Sequence, residues 1–598
     1  MQGAISSVFR CAVVVFKFTP ISLAPSQRSD FDPSAADGAL SDAGRSDARA
    51  LDRLGLETAL RNRVLPMEPA GAARPVACTS KAEFRRLEPH LRARFGHVVC
   101  RTKPPEAIEA EILRLRAAHL ARRAEIRTPL NESCRGWSGP RTAAIAGVVL
   151  MGLSALAAFF PNLLLGAITA WAALTLVSLS LLRAAAALVS FRRARRQGRT
   201  WTSTRPGHIQ RKDLPRVSLL VPLFDELDIA SRLVARLGRL EYPRDKLEVC
   251  LILESGDTHT EDALKAAELP TWMRIVHVPK GPLRTKPRAM NYALDFTKGD
   301  IVGIYDAEDR PARDQLLKVA AAFARAGPDV ACLQGVLDFY NAQSNWLTRC
   351  FTIDYATWFR LVLPGLVRMG MVMPLGGTTV FFRRRALEDL GRWDAHNVTE
   401  DADLGLRLAR RGYRCAFVNS VTEEEATATI PAWIRQRSRW IKGYAMTWAV
   451  HMRDPLRLLG DLGPWRFLGV QILFLGTLSQ FVLAPFLWSF WLMVFGVAHP
   501  VSAVLPTSVI LGIAALFFLS EIITMAIAAL SVATPKHNWL IKWVPVMHLY
   551  FPLAAVASWK GFGELVTRPF FWDKTAHGRY PVTRRSVRPV WRRLLRPA

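Results

Sequence analysis

Two apolar stretches, residues 143–160 and 163–182, carry no charge along their length and are broken only by Pro161 and Asn162. A bilayer core takes about 20 such residues per helix, so they predict a transmembrane hairpin. Arg135 and Arg141 precede it, and Arg192, Arg193, Arg195 and Arg196 follow, which by the positive-inside rule puts both ends in the cytoplasm. From about 215 to 440 the period changes. VSLLVPL, LEVCLILE, RIVHV and IVGIY are short β-rich runs between helical or turn-rich stretches. That alternation predicts an α/β domain with a mainly parallel, doubly wound sheet and ligands at the carboxyl ends of its strands. Apolar runs return at 467–496, interrupted by Pro485, at 509–530, and at 543–558, interrupted by Pro545 and Pro552. Three full spans there would leave the arginine-rich tail on the wrong side. One run is therefore expected to be interfacial or re-entrant, or the first to be two, giving four to six spans in all. Glu521 lies inside the second run, where a carboxylate is costly unless it faces a polar interior.

The amino-terminal part reads differently. Residues 20–75 are rich in Asp, Ser, Ala, Arg and Pro and predict a disordered lead. In PPEAIEAEILRLRAAHLARR, Ile108, Ile112 and Leu115 form one helical stripe, which predicts a small cytosolic helical module over 76–141. The expected division is a lead over 1–75, this module, a hairpin over 142–190, a catalytic domain over 191–460, and membrane or interface helices with a basic tail over 461–598.

Charge then narrows the partners. The net charge of +29 suits either a polyanion or the cytoplasmic side of a membrane protein. The arginines cluster beside apolar runs, at 192–199 and 584–596, and no nucleic-acid-reading motif appears, so a lipid bilayer is the expected partner and nucleic acid is not. Eight scattered cysteines with no CxxC pair fit reduced structural thiols rather than a zinc site. The early patch CAVVVF lacks an h-region with a cleavage site, so secretion is not expected.

Candidate chemistry sits at the strand ends. IVGIYDAEDRP places Asp306, Glu308 and Asp309 after an apolar strand, where carboxylates at alternate positions can hold a hard divalent cation against a diphosphate. A polar turn with a helix cap is the plainer alternative. RTKPRAMNYAL offers Arg284, Lys286 and Arg288 to phosphates, or forms a solvated basic turn. PLGGTTVFF supplies glycines that admit a ligand close to the backbone. NVTEDADLG puts Thr399, Glu400 and Asp401 at the head of a helix, as a cap or as a general base. In IRQRSRWIKGY, Gln436, Arg439 and Trp440 share one helical face at i, i+3 and i+4.

In their order, VPLFDE, ESGD, RTKPRAMNYAL, DAED, GGTT, TED and QRSRW, set between membrane helices, resemble the membrane-embedded family 2 glycosyltransferases of the cellulose, hyaluronan and chitin synthase type. The wording DAEDRP, TEDADLG and WDKTAHG is similar to bacterial exopolysaccharide β-glucan synthases. The resemblance covers about 140–580. It implies a cytosolic GT-A domain inserted between transmembrane helices, binding a UDP-sugar with Mg²⁺ or Mn²⁺. By that likeness Asp306 and Glu308 form the metal and diphosphate motif, and Asp401, beside Glu400, is the catalytic base. Gln436, Arg439 and Trp440 fill the QxxRW motif that holds diphosphate and acceptor sugar. Lys286 and Asp257 contact the nucleotide, and Gly377 and Thr378 line the substrate site.

Three features depart from the family. The usual paired acids after the second strand read Glu254-Ser255-Gly256-Asp257, and Glu308 stands where aspartate is common. In place of an FxVTxK gating loop, PFFWDKTAHG offers Lys574, Thr575 and His577. The implied activity is inverting polymerisation of a UDP-hexose, UDP-glucose favoured, into a β-linked polysaccharide exported through the plasma membrane, the bacterial inner membrane. Accessory export or regulatory subunits are the further partners it implies. A single-addition transferase acting on a lipid carrier, or an inactive transporter or scaffold, are the alternatives.

Overall fold

The computed structural model describes residues 45–196, 210–226, 230–494, 496, 497 and 499–573. The arginine-rich tail and Lys574, Thr575 and His577 lie outside them.

Order begins earlier than the composition of residues 20–75 suggests. Helices Ala48–Leu54 and Leu56–Asn62 lead into β1 (Val64–Pro66), which pairs with β2 (Arg74–Cys78). The average polarity hides a spaced apolar set, Leu51, Leu54, Leu56, Leu60 and Leu65, every member of it buried. Asp47 caps the first helix by accepting from the amides of Arg49 and Ala50. The segment 76–141 is likewise not purely helical. β3 (Val98–Thr102) runs parallel to β2 and completes a three-stranded sheet, and helix α1 (Pro105–Ile126) follows. Ile108 and Ile112 of the stripe are buried, but α1 breaks its helical dihedrals at Arg116, and the buried line continues through Leu120 and Ala124 instead of Leu115.

The catalytic domain is an eight-stranded sheet in the order β6-β5-β4-β7-β10-β9-β11-β8. Its strands are β4 (Val217–Leu223), β5 (Leu247–Glu254), β6 (Met273–Val278), β7 (Ile301–Ile304), β8 (Arg310–Pro311), β9 (Val330–Phe339), β10 (Val380–Arg383) and β11 (Arg414–Glu424). β6, β5, β4 and β7 are parallel, as are β9 and β11, while β10 runs against both of its neighbours. Strand residues alternate between two cores, as a sheet buried on both faces requires. Leu220, Cys250 and Ile252 pack on one side, and Leu219, Leu251 and Ile301 on the other. The first of these cores also contains Leu51, Ile108 and Ile112, so the amino-terminal module and the catalytic domain share one apolar interior. Three helices carry the chemistry: α2 (Lys286–Leu294), α3 (Glu400–Arg410) and α4 (Ile430–His451).

Among the described residues, four helices are long and apolar enough to cross a membrane: Gly139–Phe159, Pro161–Arg193, Pro455–Val482 and Thr507–Val532. No residue of Gly139–Phe159 is buried, and Val148, Leu150 and Met151 point outward, the face expected toward lipid. The run 467–496 does not continue as one rod. Its helix ends at Val482, and a short apolar helix, Ala484–Ser489, with Pro485 in its first turn, takes over. The last run is the irregular one. Asn538–Tyr550 and Leu553–Thr567 meet at a 47° bend around Pro552, a broken span or a re-entrant pair.

Candidate active site

The acidic turn after β7 is set by Asp309. Its carboxylate accepts from the Asp306 amide at 2.9 Å and from the Thr378 hydroxyl, and the residue is wholly buried. This directs Asp306 and Glu308 into a cavity of about 1060 Å³ at the carboxyl ends of the parallel strands. Thr378 and Gly377 come from the loop before β10. The Gly377 carbonyl accepts from Lys286 Nζ at 2.7 Å, and Lys286 also pairs with Asp306 Oδ1. Burial works against the Lys286 charge, but Asp306, Glu400 and Asp401 outweigh it and hold its pKa above the ordinary value.

Glu400 and Asp401 open α3 and project into the same cavity. Burial, reinforced by the neighbouring Asp401 charge, pushes Glu400 up to about 8. Burial also raises Asp401, restrained by the Ala402 amide at 2.8 Å and by Lys286 and Arg439. Gly443 explains how α4 reaches this point. A Cβ there would lie 2.2 Å from Thr399 Oγ1, so only glycine lets α4 pack against the head of α3. Arg439 and Trp440 are thereby brought beside the acids, and Gln436 lines the same wall while accepting from Thr427 Oγ1 at 2.9 Å. Arg439 donates to the Asp573 carbonyl at 3.1 Å, and its guanidinium stands 5.6 Å from the Trp572 ring centre, so Phe570–Trp572 closes this side.

One candidate is displaced. Asp257 does not line the cavity. It caps the helix after β5, accepting from Thr260 N and Oγ1 and from the Asp225 amide. Glu254, one turn earlier at the end of β5, faces the cavity instead, and burial raises its carboxyl to about 7 against the pull of Arg288 and Arg284. Three further residues escaped the motif reading. Glu424, at the end of β11, enters the cavity, with its pKa raised well above the carboxylate range by burial and by Asp309, Glu308 and Asp306. Arg437 lies 4.5 Å from the Trp440 ring centre and pairs with Asp354 at 2.6 Å. Tyr355 approaches the same indole at 6.2 Å. Only the strand-end position of Glu424 and the position of Arg437 next to Gln436 in the chain could have flagged them.

The cavity continues past Trp440, Tyr355 and Trp433 into the apolar helices, lined by Leu179, Phe481, Trp488, Trp491, Phe517 and Ile527. Asp306, Asp401 and Trp440 thus share one space that opens between candidate membrane helices.

Comparison with known proteins fits this geometry. Residues 301–557 match the family description "Glycosyl transferase family group 2". That match covers less than half of the chain and takes in β7–β11, α3 and α4. Over 247 residues the chain is 31% identical to a beta-monoglucosyldiacylglycerol synthase of Trichormus variabilis, covering 40% of this chain and 52% of that protein. Over 283 residues it is 26% identical to the UDP-forming cellulose synthase catalytic subunit of Komagataeibacter sucrofermentans, covering 46% of this chain and 35% of that one. The match therefore spans about half the length of the first relative and about a third of the second. A mannosyltransferase of Pyrobaculum calidifontis, solved with GDP-Man and Mn²⁺, aligns at 22% identity with a TM-score of 0.41, over 65% of this chain and 99% of that one.

Proposed function

We propose that this protein is an inverting glycosyltransferase of the plasma membrane, with its catalytic domain in the cytoplasm, that transfers a hexosyl group from a UDP-sugar, UDP-glucose favoured, to a growing β-linked polysaccharide. The observation that carries this reading is the single cavity in which a buried acid pair, a lysine, an arginine and an indole meet and which then runs between apolar helices.

Asp401 acts as the base. Burial makes its carboxylate a better proton acceptor than a solvent-exposed one, while Lys286 and Arg439 keep it ionisable. It takes the acceptor hydroxyl proton as the oxygen attacks the anomeric carbon and the bond to the diphosphate breaks. Lys286 and Arg439 stand where the leaving diphosphate develops charge, and their positions are fixed before the reaction begins. Trp440, held from behind by Arg437, offers a flat apolar face to a pyranose ring.

The donor set fits a divalent cation. Asp306, Glu308, Asp309, Glu400, Asp401 and Glu424 outnumber Lys286 and Arg439, and the buried oxygens Asp309 Oδ1 and Glu424 Oε1 have no hydrogen-bond partner. Among the described residues no three acidic, His or Cys side chains form a ligand set by themselves; Asp306 and Glu308 would hold Mg²⁺ or Mn²⁺ together with the donor's diphosphate. When bound, the ion supplies charge neutralisation to the leaving group.

Membranes containing the protein, incubated with radiolabelled UDP-glucose, should yield polymer and free UDP, and excess EDTA should stop both. Full turnover in EDTA would remove the metal from the proposal, and no UDP from any UDP-hexose would remove the function. A second reading, one addition to a lipid hydroxyl, draws on the apolar wall beyond Trp440 and on the glucolipid-synthase relative. Chain length of the product separates the two.

A further inference from the structure

The glycosyltransferase domain does not support its donor end alone. We infer that Glu125, which belongs to the amino-terminal module, is a positioning residue for the donor side of the cavity, acting through Arg288 on Glu254 and on the 279–286 loop. This rests on the reading of the cavity as a nucleotide-sugar site.

The contacts form a chain. Near the end of α1, Glu125 Oε1 accepts from Arg288 Nε at 2.9 Å, and Arg288 is wholly buried. The same guanidinium donates through Nη2 to the Pro279 carbonyl at 2.8 Å. Its third nitrogen, Nη1, has no hydrogen-bond partner and stands 3.5 Å from Glu254 Oε2 on the cavity wall. The Asn291 amide next to it donates to the Ala124 carbonyl at 2.9 Å, so α1 and α2 are fastened at two points one turn apart.

The loop lies directly over this fork. A Cβ on Gly281 would come within 2.4 Å of Arg288 Nη2 and 2.9 Å of Glu125 Oε1, so the backbone rests on the ion pair with no room for a side chain. Gly281, Arg284 and Thr285 of that loop line the cavity, and Lys286, which ends it, reaches Asp306.

Removing one carboxylate partner of a buried guanidinium leaves its charge poorly compensated and its position less well held. Glu125 supplies the pull directed away from the cavity. Without it the fork is free to turn fully toward Glu254, and the loop it supports loses its anchor. Glu125 touches neither donor nor acceptor, so its effect falls on how well the donor site is formed. The transfer step itself belongs to Asp401.

The test uses the full-length protein in membranes or nanodiscs. Glu125→Gln keeps the shape and removes the charge. Glu109→Gln is the control, because Glu109 joins the same module to the domain through Arg274 at 2.9 Å without touching the loop. Glu125→Gln should raise KM for the UDP-sugar about 5- to 10-fold with kcat within twofold, and should speed deuterium uptake in a peptide spanning 279–286. Glu109→Gln should do neither. Equal changes in both variants would reduce Glu125 to a docking contact, and an unchanged KM and exchange rate in Glu125→Gln would overturn the inference. The exchange measurement needs no donor. If the wild type hydrolyses no UDP-sugar while loop exchange still responds to Glu125 alone, the functional reading fails and the mechanical link stands.

Discussion

The two ends of the cavity are built on opposite principles. At the sheet end, acidic side chains crowd around Lys286 and Arg439, and burial, reinforced by their mutual repulsion, raises the pKa of Glu400, Glu424 and Asp309. At the membrane end the walls are mostly apolar and aromatic, with Arg183 among them and Glu521 paired with His548 at 3.2 Å. In the proposed reaction the leaving phosphate and the moving proton would lie at the charged end, and a neutral sugar or lipid acceptor would lie along the mostly apolar one. A strong charge along the second half would bind or repel every passing ligand, and desolvating it there would be costly.

The sharpest way to break this contrast is to remove the proposed base, Asp401. Asp401→Asn should lower UDP release by about 10³-fold with unchanged expression, and a loss below tenfold would move the base elsewhere. Lys286→Met strips a cation from the crowded end and leaves Asp306 unpaired. Losing a charge-stabilising contact to the leaving group, worth about 3 kcal/mol, corresponds to about 10² in kcat/KM, measured by initial rates across UDP-glucose concentrations.

Glu400 gives a pH signature. Its carboxyl titrates near 4.5 in an unfolded chain and at about 8 in place, so between those values the folded protein binds the extra proton. Stability from this group is therefore greatest at low pH and declines as pH rises through that window. Melting temperature should fall less steeply between pH 5 and pH 8 in Glu400→Gln than in wild type, and parallel curves would mean that Glu400 is not held neutral. The smallest effect is expected at the membrane end. Glu521→Ala should leave UDP release within about twofold, and a loss as large as that of Lys286→Met would abolish the distinction between the two ends.

Much of the sheet end was legible because its chemistry follows strand ends in short motifs. IVGIYDAED announces a buried strand and then its acids, and QRSRW announces a helix face. Asp257 misled because spacing cannot distinguish a cavity-facing acid from one that caps the next helix; the hydrogen bonds to Thr260 and Asp225 decide it. Glu424 was hidden because its acidic neighbours, Asp306, Glu308 and Asp309, are distant in sequence and meet it only when β11 pairs with β8, which follows their turn. The amino-terminal order was missed for a different reason. Window composition over 20–75 averages away Leu51, Leu54 and Leu60, whose burial depends on α1, some fifty residues further along the chain.

That shared interior changes how genetic dissection of this protein must be read. Trimming residues 45–130 would not detach an appendage; it would strip the lining from one face of the catalytic sheet and leave Met290 and Ala293 against water. A silent truncation would report collapse, and charge swaps on an intact chain are the cleaner way to ask what the front of the molecule contributes.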